Sequence, residues 1–260
     1  SVRWLTFVSP AERALNRIVF ASDYDVIGRG YAQQRVADPR IAAQIALALG
    51  NARLICNVGA GAGNYEPRDR RVIAVEPSHE MIAQRSQHTV VRARAEALPF
   101  RDRSFDAAMA MMTVHHWSDL GAGIAEMRRV APLRLVFIFD PAQQDLLWLV
   151  RDYLPEINAL EHARAPRIDR LVELLGGAEV QAVPIPWDCK DGFQAAYWRR
   201  PEQYLLPQVR ASISTLAVLP QQTVALAMQR LAADLRSGAW AQRNAELLSR
   251  ESFDFGYRLL

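Results

Sequence analysis

The stretch LICNVGAGAGNY, from Leu54 to Tyr65, decides the fold: an apolar run of strand length stops at Val58 and gives way to Gly59, Ala60, Gly61, Ala62 and Gly63. A glycine-rich turn at the end of an apolar strand lets backbone amides approach a ligand with no Cβ in the way. Outward from this stretch lie further short apolar runs, Val72 to Val75, a weaker Thr89 to Val91, Phe105 to Met111 and Leu135 to Phe139. Their apolarity is continuous rather than alternating, which suits strands covered by helices on both faces. Helical candidates fall between them: Ser78 to Gln87 behind a serine cap, and Gly121 to Val130. Upstream, Asp38 and Pro39 open a helix that Gly50 closes. Strand and helix alternate, the pattern of a doubly wound α/β sheet.

The eight residues between Gly63 and Val72 are fewer than the roughly dozen that a parallel crossover with its helix takes, so the first crossover helix is expected to shrink to a turn. After the fifth run the sequence predicts helix over Gln143 to Leu154 and Asp169 to Leu175, an extended segment from Ala178 to Ile185, and a last strand from Phe253 to Leu260. Between these two lie helix starts at Pro201 and Pro207 and a stop at Ser237 and Gly238, which predict a helical cap inserted before the last strand.

Composition narrows the function. Half of the 260 residues are apolar and 23% are charged, the balance of a chain with a sizeable core. The net charge is +3 and the basic residues, all arginine except Lys190, are scattered, so no nucleic-acid role is expected. No run approaches the roughly 18 apolar residues of a membrane span, and Ser1 to Pro10 has neither a basic start nor a long apolar core. Cys56 and Cys189 cannot build a disulfide framework. A cytoplasmic protein without membrane partners is the expectation.

Alone, the glycine loop is a weak signal, and Asn64 stands where a dinucleotide fingerprint wants glycine or alanine. Further elements follow in order: VIAVEPS ending in Glu76, Pro77 and Ser78, then AEALPF from Ala95, then SFDAAMAMMTVHHWSD from Ser104. An acid at the end of the second strand can accept both hydroxyls of a ribose. Together these four motifs resemble those of class I S-adenosylmethionine-dependent methyltransferases, particularly the small-molecule branch of the type 11 kind, over Leu54 to about Phe139. The resemblance implies a mostly parallel, seven-stranded, Rossmann-like sheet and S-adenosylmethionine as cofactor. It implies that Gly59, Ala60 and Gly61 lie under the methionine part, that Glu76, followed by Pro77, holds the ribose, and that Ala95 and Glu96 meet the adenine. Met112, Thr113 and His115 would border the sulfonium and the acceptor. The segment Tyr24 to Arg35 resembles a lid, with Tyr31 and Arg35 closing it and Arg35 reaching the methionine carboxylate. Residues 1–50 would then be lid helices, 51–186 with 251–260 the cofactor domain, and 187–250 the cap holding the acceptor.

Two positions depart from the resemblance: Asn57 stands where an acid usually holds the cofactor's ammonium, and Arg94 stands where an acid often meets the adenine. His115 and His116 are the candidate catalytic residues, since a histidine is the natural acceptor for a proton from a hydroxyl or amine; a structural role is the plainer alternative. No metal is expected, because His79, His88 and His162 show no ligand grouping. Asp140, Asp188 and Asp191 fall at strand ends near the crevice, with helix capping or turn formation as their alternative. Trp148, Tyr153, Tyr197, Trp198 and Tyr204 are candidates for the acceptor pocket. The function expected is single-displacement methyl transfer to a small organic acceptor. The competing readings are a non-catalytic binding or scaffold protein on the same fold and a nicotinamide-dependent oxidoreductase. Oligomeric state is not legible.

Overall fold

Three parallel strands end level with one another, and that edge positions everything that follows. In the computed structural model, which describes residues 35–86 and 89–260, β1 (Leu54–Val58) pairs in parallel with β2 (Arg71–Val75), Val58 facing Val75, and on its other side with β4 (Ala107–Met111). β3 (Val90–Val91) and β5 (Leu133–Phe139) extend the parallel set outward. The seven-stranded sheet runs in the order β3-β2-β1-β4-β5-β9-β6, with β9 (Tyr257–Leu259) antiparallel to both β5 and β6 (Gln181–Ala182). Ile55 to Val58, Ala107 to Ala110 and Leu135 to Phe139 are buried without interruption, which is why these strands read as continuous apolar runs: both faces are covered.

The helix Pro39–Ala48 is capped by the Asp38 side chain, which accepts from Arg40 N, and it buries Ile41 and Ile45. Ser78 caps His79–Ala83 and Asp119 caps Leu120–Val130 by bonding Met81 N and Ala122 N. Between β1 and β2 the chain makes only turns, the truncated crossover that its length requires.

Three elements depart from the pattern. Gln143 to Leu154 is not one α-helix; it is a 3-10 helix, Pro141–Leu146, followed by a π turn, Leu149–Tyr153. Leu147 to Val150 are buried at four consecutive positions, and a regular surface helix cannot turn four successive side chains inward. The extended segment 178–185 breaks into β6 and β7 (Ile185–Pro186) around Pro184, which has no N–H to give a ladder. The last strand breaks at Gly256, whose φ of +86° turns the chain. β8 (Ser252–Phe253) therefore joins β7 in a separate two-stranded ladder, and β9 enters the main sheet.

Helices from two chain segments form the layer beside the crevice: Glu156–Arg164 from before β6, and Pro207–Ala211, Ser214–Val218 and Gln221–Ser237 from after β7. Trp148, fully buried, sits within this layer edge-on to Tyr153, Tyr204 and Trp240, and its indole N–H donates to Trp198 O at 2.7 Å. Among the described residues, no helix is long and apolar enough to cross a membrane. Replacing Trp148 by Ala removes the ring on which these aromatics converge and should cost about 3–5 kcal/mol, read as a fall in the urea midpoint of unfolding with the sheet's far-ultraviolet signal retained in the native baseline.

Candidate active site

The turn after β1 is shaped by the backbone of β2. Gly59 N and Ala60 N both donate to Val75 O, at 2.9 and 3.0 Å, and Gly61 N donates to Glu76 Oε2 at 2.7 Å. Gly59, Gly61 and Gly63 all have positive φ, 68°, 52° and 95°, a region that glycine enters without steric cost. At Gly59 the need is double, because a Cβ there would overlap the hydroxyl of Thr113 at the end of β4.

A cleft of about 400 Å³ opens at this edge, lined by Gly59 to Ala62 on one side and Glu76, Pro77 and Ser78 on another. Arg94, Ala95 and Glu96 close one wall, and Met112, Thr113 and His116 another. The volume is that of a pocket for a small ligand or cofactor. Glu76 is buried, and besides Gly61 N its carboxylate accepts from Ser78 N at 2.9 Å. Glu96 turns its Oε1 to Ser118 N, Ser118 Oγ and Asp119 N, so its carboxylate ties the third motif to the fourth.

A smaller cavity of about 40 Å³ continues beneath, and Arg35, Met112 and His116 line both. Its walls are aromatic, Phe139, Phe193 and Tyr257, with polar groups from Gln144, Gln194, Glu161, Arg164 and Thr215. Glu161 and Arg164 form a buried ion pair, and the Thr215 hydroxyl bonds Glu161. Gln194 Nε2 donates to Gln144 Oε1 at 2.8 Å. The His115 and His116 rings lie 3.9 Å apart, tilted by 48°, and His115 lies edge-on to Phe139. Loss of solvent, then the neighbouring His116 and the Arg164 guanidinium, push His115 well below the ordinary imidazole value. Desolvation and Arg164 lower His116 to about 3. Both rings are therefore neutral at physiological pH.

Several sequence expectations meet other partners here. Tyr31 lies outside the described residues. Arg35 reaches the cleft, but its guanidinium is bonded to the fully buried Asp191, Nε to Oδ1 at 2.5 Å. Asp188 pairs with Arg40 at 2.7 Å, and Asp140 caps the turn that follows it by accepting from Ala142 N. Trp148, Tyr153, Tyr197, Trp198 and Tyr204 are absent from the lining of both cavities; Phe139, Phe193 and Tyr257 are the aromatic walls of the lower one. Asn57 is buried below the loop, with its Nδ2 donating to Glu66 Oε1 at 2.9 Å. Glu66, Tyr65 and Arg85 were not legible as site residues. Tyr65 lies two residues after the glycine loop, and that proximity was its only available signal. Burial raises the thiols of Cys56 and Cys189 to about 12, so neither is a thiolate. Among the described residues no group of His, Cys, Asp and Glu could hold a metal ion.

The lowered histidines set an acid limb to stability. Between the unfolded imidazole value near 6.5 and the folded value, the unfolded chain binds more protons, so stability is full above about pH 6.5 and falls as pH drops toward 3. Replacing His116 by Asn should remove on the order of 1 kcal/mol of the loss between pH 7 and pH 4.5, measured as a smaller difference between the urea unfolding free energies at those two pH values. An unchanged difference would mean that His116 is not held neutral.

Comparison with known proteins bears on the same region. Residues 55–132 match the model of the "Methyltransferase domain" family. The crystal structure of a "Putative methyltransferase from antibiotic biosynthesis pathway" from Anabaena variabilis is 33% identical and superposes with a TM-score of 0.82 over 87% of this chain and 98% of that one. An uncharacterized methyltransferase of Bacillus subtilis, YcgJ, is 30% identical over 132 residues, 43% of this chain. An uncharacterized protein of Methanocaldococcus jannaschii, MJ1252, is 25% identical over 156 residues, 55% of this chain. The matched region spans 48% of the first of these curated relatives and 62% of the second. With the family's motifs on the level strand edge and a relative that shares the architecture nearly end to end, the chain belongs to the class I S-adenosylmethionine-dependent methyltransferases.

Proposed function

We propose that this chain transfers a methyl group from S-adenosylmethionine to a small organic acceptor by single displacement, the cofactor in the upper cleft and the acceptor's reacting group in the lower cavity. The observation that carries the reading is the junction of the two cavities at Arg35, Met112 and His116. A cleft that accepts an elongated ligand and opens at one end into a small aromatic-walled chamber suits a donor and an acceptor meeting end to end.

The residues fit the cofactor. The Glu76 carboxylate, an acceptor suited to ribose hydroxyls, lies buried at the cleft wall, the glycine turn leaves room for close backbone approach, and Ala95 and Glu96 offer backbone to an adenine edge. Bound there, S-adenosylmethionine would supply a methyl group already activated by its sulfonium. The protein's share is then to align the acceptor and exclude water. Phe139, Phe193 and Tyr257 do the second, and the paired amides of Gln144 and Gln194 with the histidines offer hydrogen bonds for the first. His115 and His116, held neutral, keep a ring nitrogen able to accept a hydrogen bond, and His115 Nδ1 has no partner among the described residues. An imidazole so reluctant to hold a proton is a weak base, so its part is to orient the nucleophile and take a proton only as the bond to the methyl forms. The small size of the lower cavity favours a small molecule over a nucleic acid, and the description of the Anabaena relative as part of an antibiotic biosynthesis pathway agrees with that class of acceptor.

Calorimetric titration with S-adenosylmethionine and S-adenosylhomocysteine, with NADH as control, tests the cofactor: binding of the first two and silence from the third is expected, and the reverse would return the oxidoreductase. With an acceptor in hand, His116→Asn should lower kcat by roughly 10²-fold. The native kcat/KM profile should show no inflection from these rings between pH 6 and 8, because both stay neutral throughout. Full turnover in both His115→Ala and His116→Ala would end any role for the pair in proton transfer.

A further inference from the structure

Beneath the glycine turn lies a charged pair that the chemistry above leaves unused. Glu66 and Arg85 are buried, with side chains 5% and 2% exposed, and Arg85 Nη2 donates to both Glu66 oxygens at 2.7 and 2.8 Å. Its other terminal nitrogen, Nη1, donates to Gly61 O at 3.0 Å. Glu66 Oε1 also accepts from Asn57 Nδ2 at 2.9 Å. One guanidinium and one carboxylate thus tie the end of β1 and the glycine turn that follows it to the chain after the His79–Ala83 helix. A Cβ on Gly63 would come within 3.0 Å of Glu66 Oε2 and 3.2 Å of Arg85 Nη1, so the turn is moulded directly onto the pair.

An ion pair this deep costs several kcal/mol of desolvation, and apolar residues of equal volume would often be as stable. Its bonds, however, all end on the cofactor turn or its base. We propose that Glu66 and Arg85 are positioning residues that hold the glycine turn in its cofactor-binding shape, with Asn57 as the neutral amide that the pair requires at its side. The inference rests on the reading of the cleft as a cofactor site.

The neutrality of Asn57 gives a sharp consequence. Asn57 must donate to Glu66, and a carboxylate cannot donate. Asn57→Asp would set two carboxylates against each other around one guanidinium in a buried site, a like-charge contact that low dielectric makes severe. Glu66→Gln leaves the guanidinium without its counter-charge. Combining the two changes restores one carboxylate, one amide and one guanidinium, with the acid moved by one side chain.

The test is calorimetric affinity for S-adenosylmethionine and S-adenosylhomocysteine, with Tm measured alongside, for the native chain, Asn57→Asp, Glu66→Gln and the double variant. Each single change should weaken both ligands at least tenfold, and the double variant should return to within about threefold of native, where independent sites would instead add their losses. Arg85→Lys covers the case in which a single variant does not fold. A lysine keeps the charge yet cannot reach Glu66 and Gly61 O together as the fork does, so it should bind more weakly at a temperature where it is fully folded. Native affinity in Asn57→Asp or in Arg85→Lys, or simple additivity in the double variant, overturns the inference while leaving the methyltransferase reading intact. A native chain that binds neither ligand overturns both.

Discussion

Everything in the crevice depends on how closely the end of β1 approaches the end of β4. Gly59 and Thr113 touch so tightly that the turn has no space for a side chain at 59, and the positive φ of Gly59 is what lets the chain swing away from that contact. From there the turn is fixed on its other flank by Val75 O, which takes two amides, and by the Glu76 carboxylate, which takes a third. Strand pairing in parallel register brings the ends of β1, β2 and β4 to one level. Without that level edge, the glycine turn, the acid after β2 and the Met112-Thr113 corner would belong to different surfaces.

Three buried ion pairs stand around the two cavities: Glu66 with Arg85 below the turn, Arg35 with Asp191 at the junction, and Glu161 with Arg164 in the lower cavity. Buried pairs are weak contributors to stability because desolvation offsets most of their attraction. Their value lies in direction. A guanidinium has donors in a rigid fork, so each pair fixes the relative position of two chain segments: 66 with 85, 35 with 191, and one turn of the Glu156–Arg164 helix with Thr215. The arginine-rich composition, which as a sequence feature carried no message, acquires one from where these three side chains lie.

The parts of the site that could be read from the sequence were those carried by a single strand and the turn after it. The glycine turn, Glu76, the Ala95-Glu96 pair and the Met112 to His116 corner each follow an apolar run, so period and punctuation mark the turns, and the resemblance to the methyltransferase motifs assigned them to one site. The truncated first crossover followed from counting residues. What could not be read was made by meetings across long stretches of chain. Asp191 is 156 positions from Arg35, and nothing local to Asp191 distinguishes an ion-pair partner from a turn acid. Glu161, Arg164 and Thr215 lie outside the motif-bearing segment, on helices whose own polar pattern looks like an ordinary solvated face. The aromatics follow the same rule: Trp148 and Tyr204 pack edge-on to each other and Trp148 donates to Trp198 O, so these rings are tied to one another rather than lining either cavity. The burial of four consecutive residues, Leu147 to Val150, marks this segment as packing.

Met112 shows why the two cavities meet where they do. It is one of three non-glycine residues with positive φ among those described, at +53°, and it follows directly on β4. Its N–H is held by Phe137 O at 2.7 Å, so β5 keeps it in a conformation that a side chain normally avoids, at a cost of order 1 kcal/mol. A regular extension of β4 would carry the chain straight on past the crevice. The left-handed residue bends it instead, so that Thr113 turns back against Gly59 while the following 3-10 turn, Val114–His116, brings both histidines to the lower cavity. The strain at one residue thus supplies the corner between the upper cleft and the lower cavity, and the surrounding ladder and aromatic walls are what hold that corner in place.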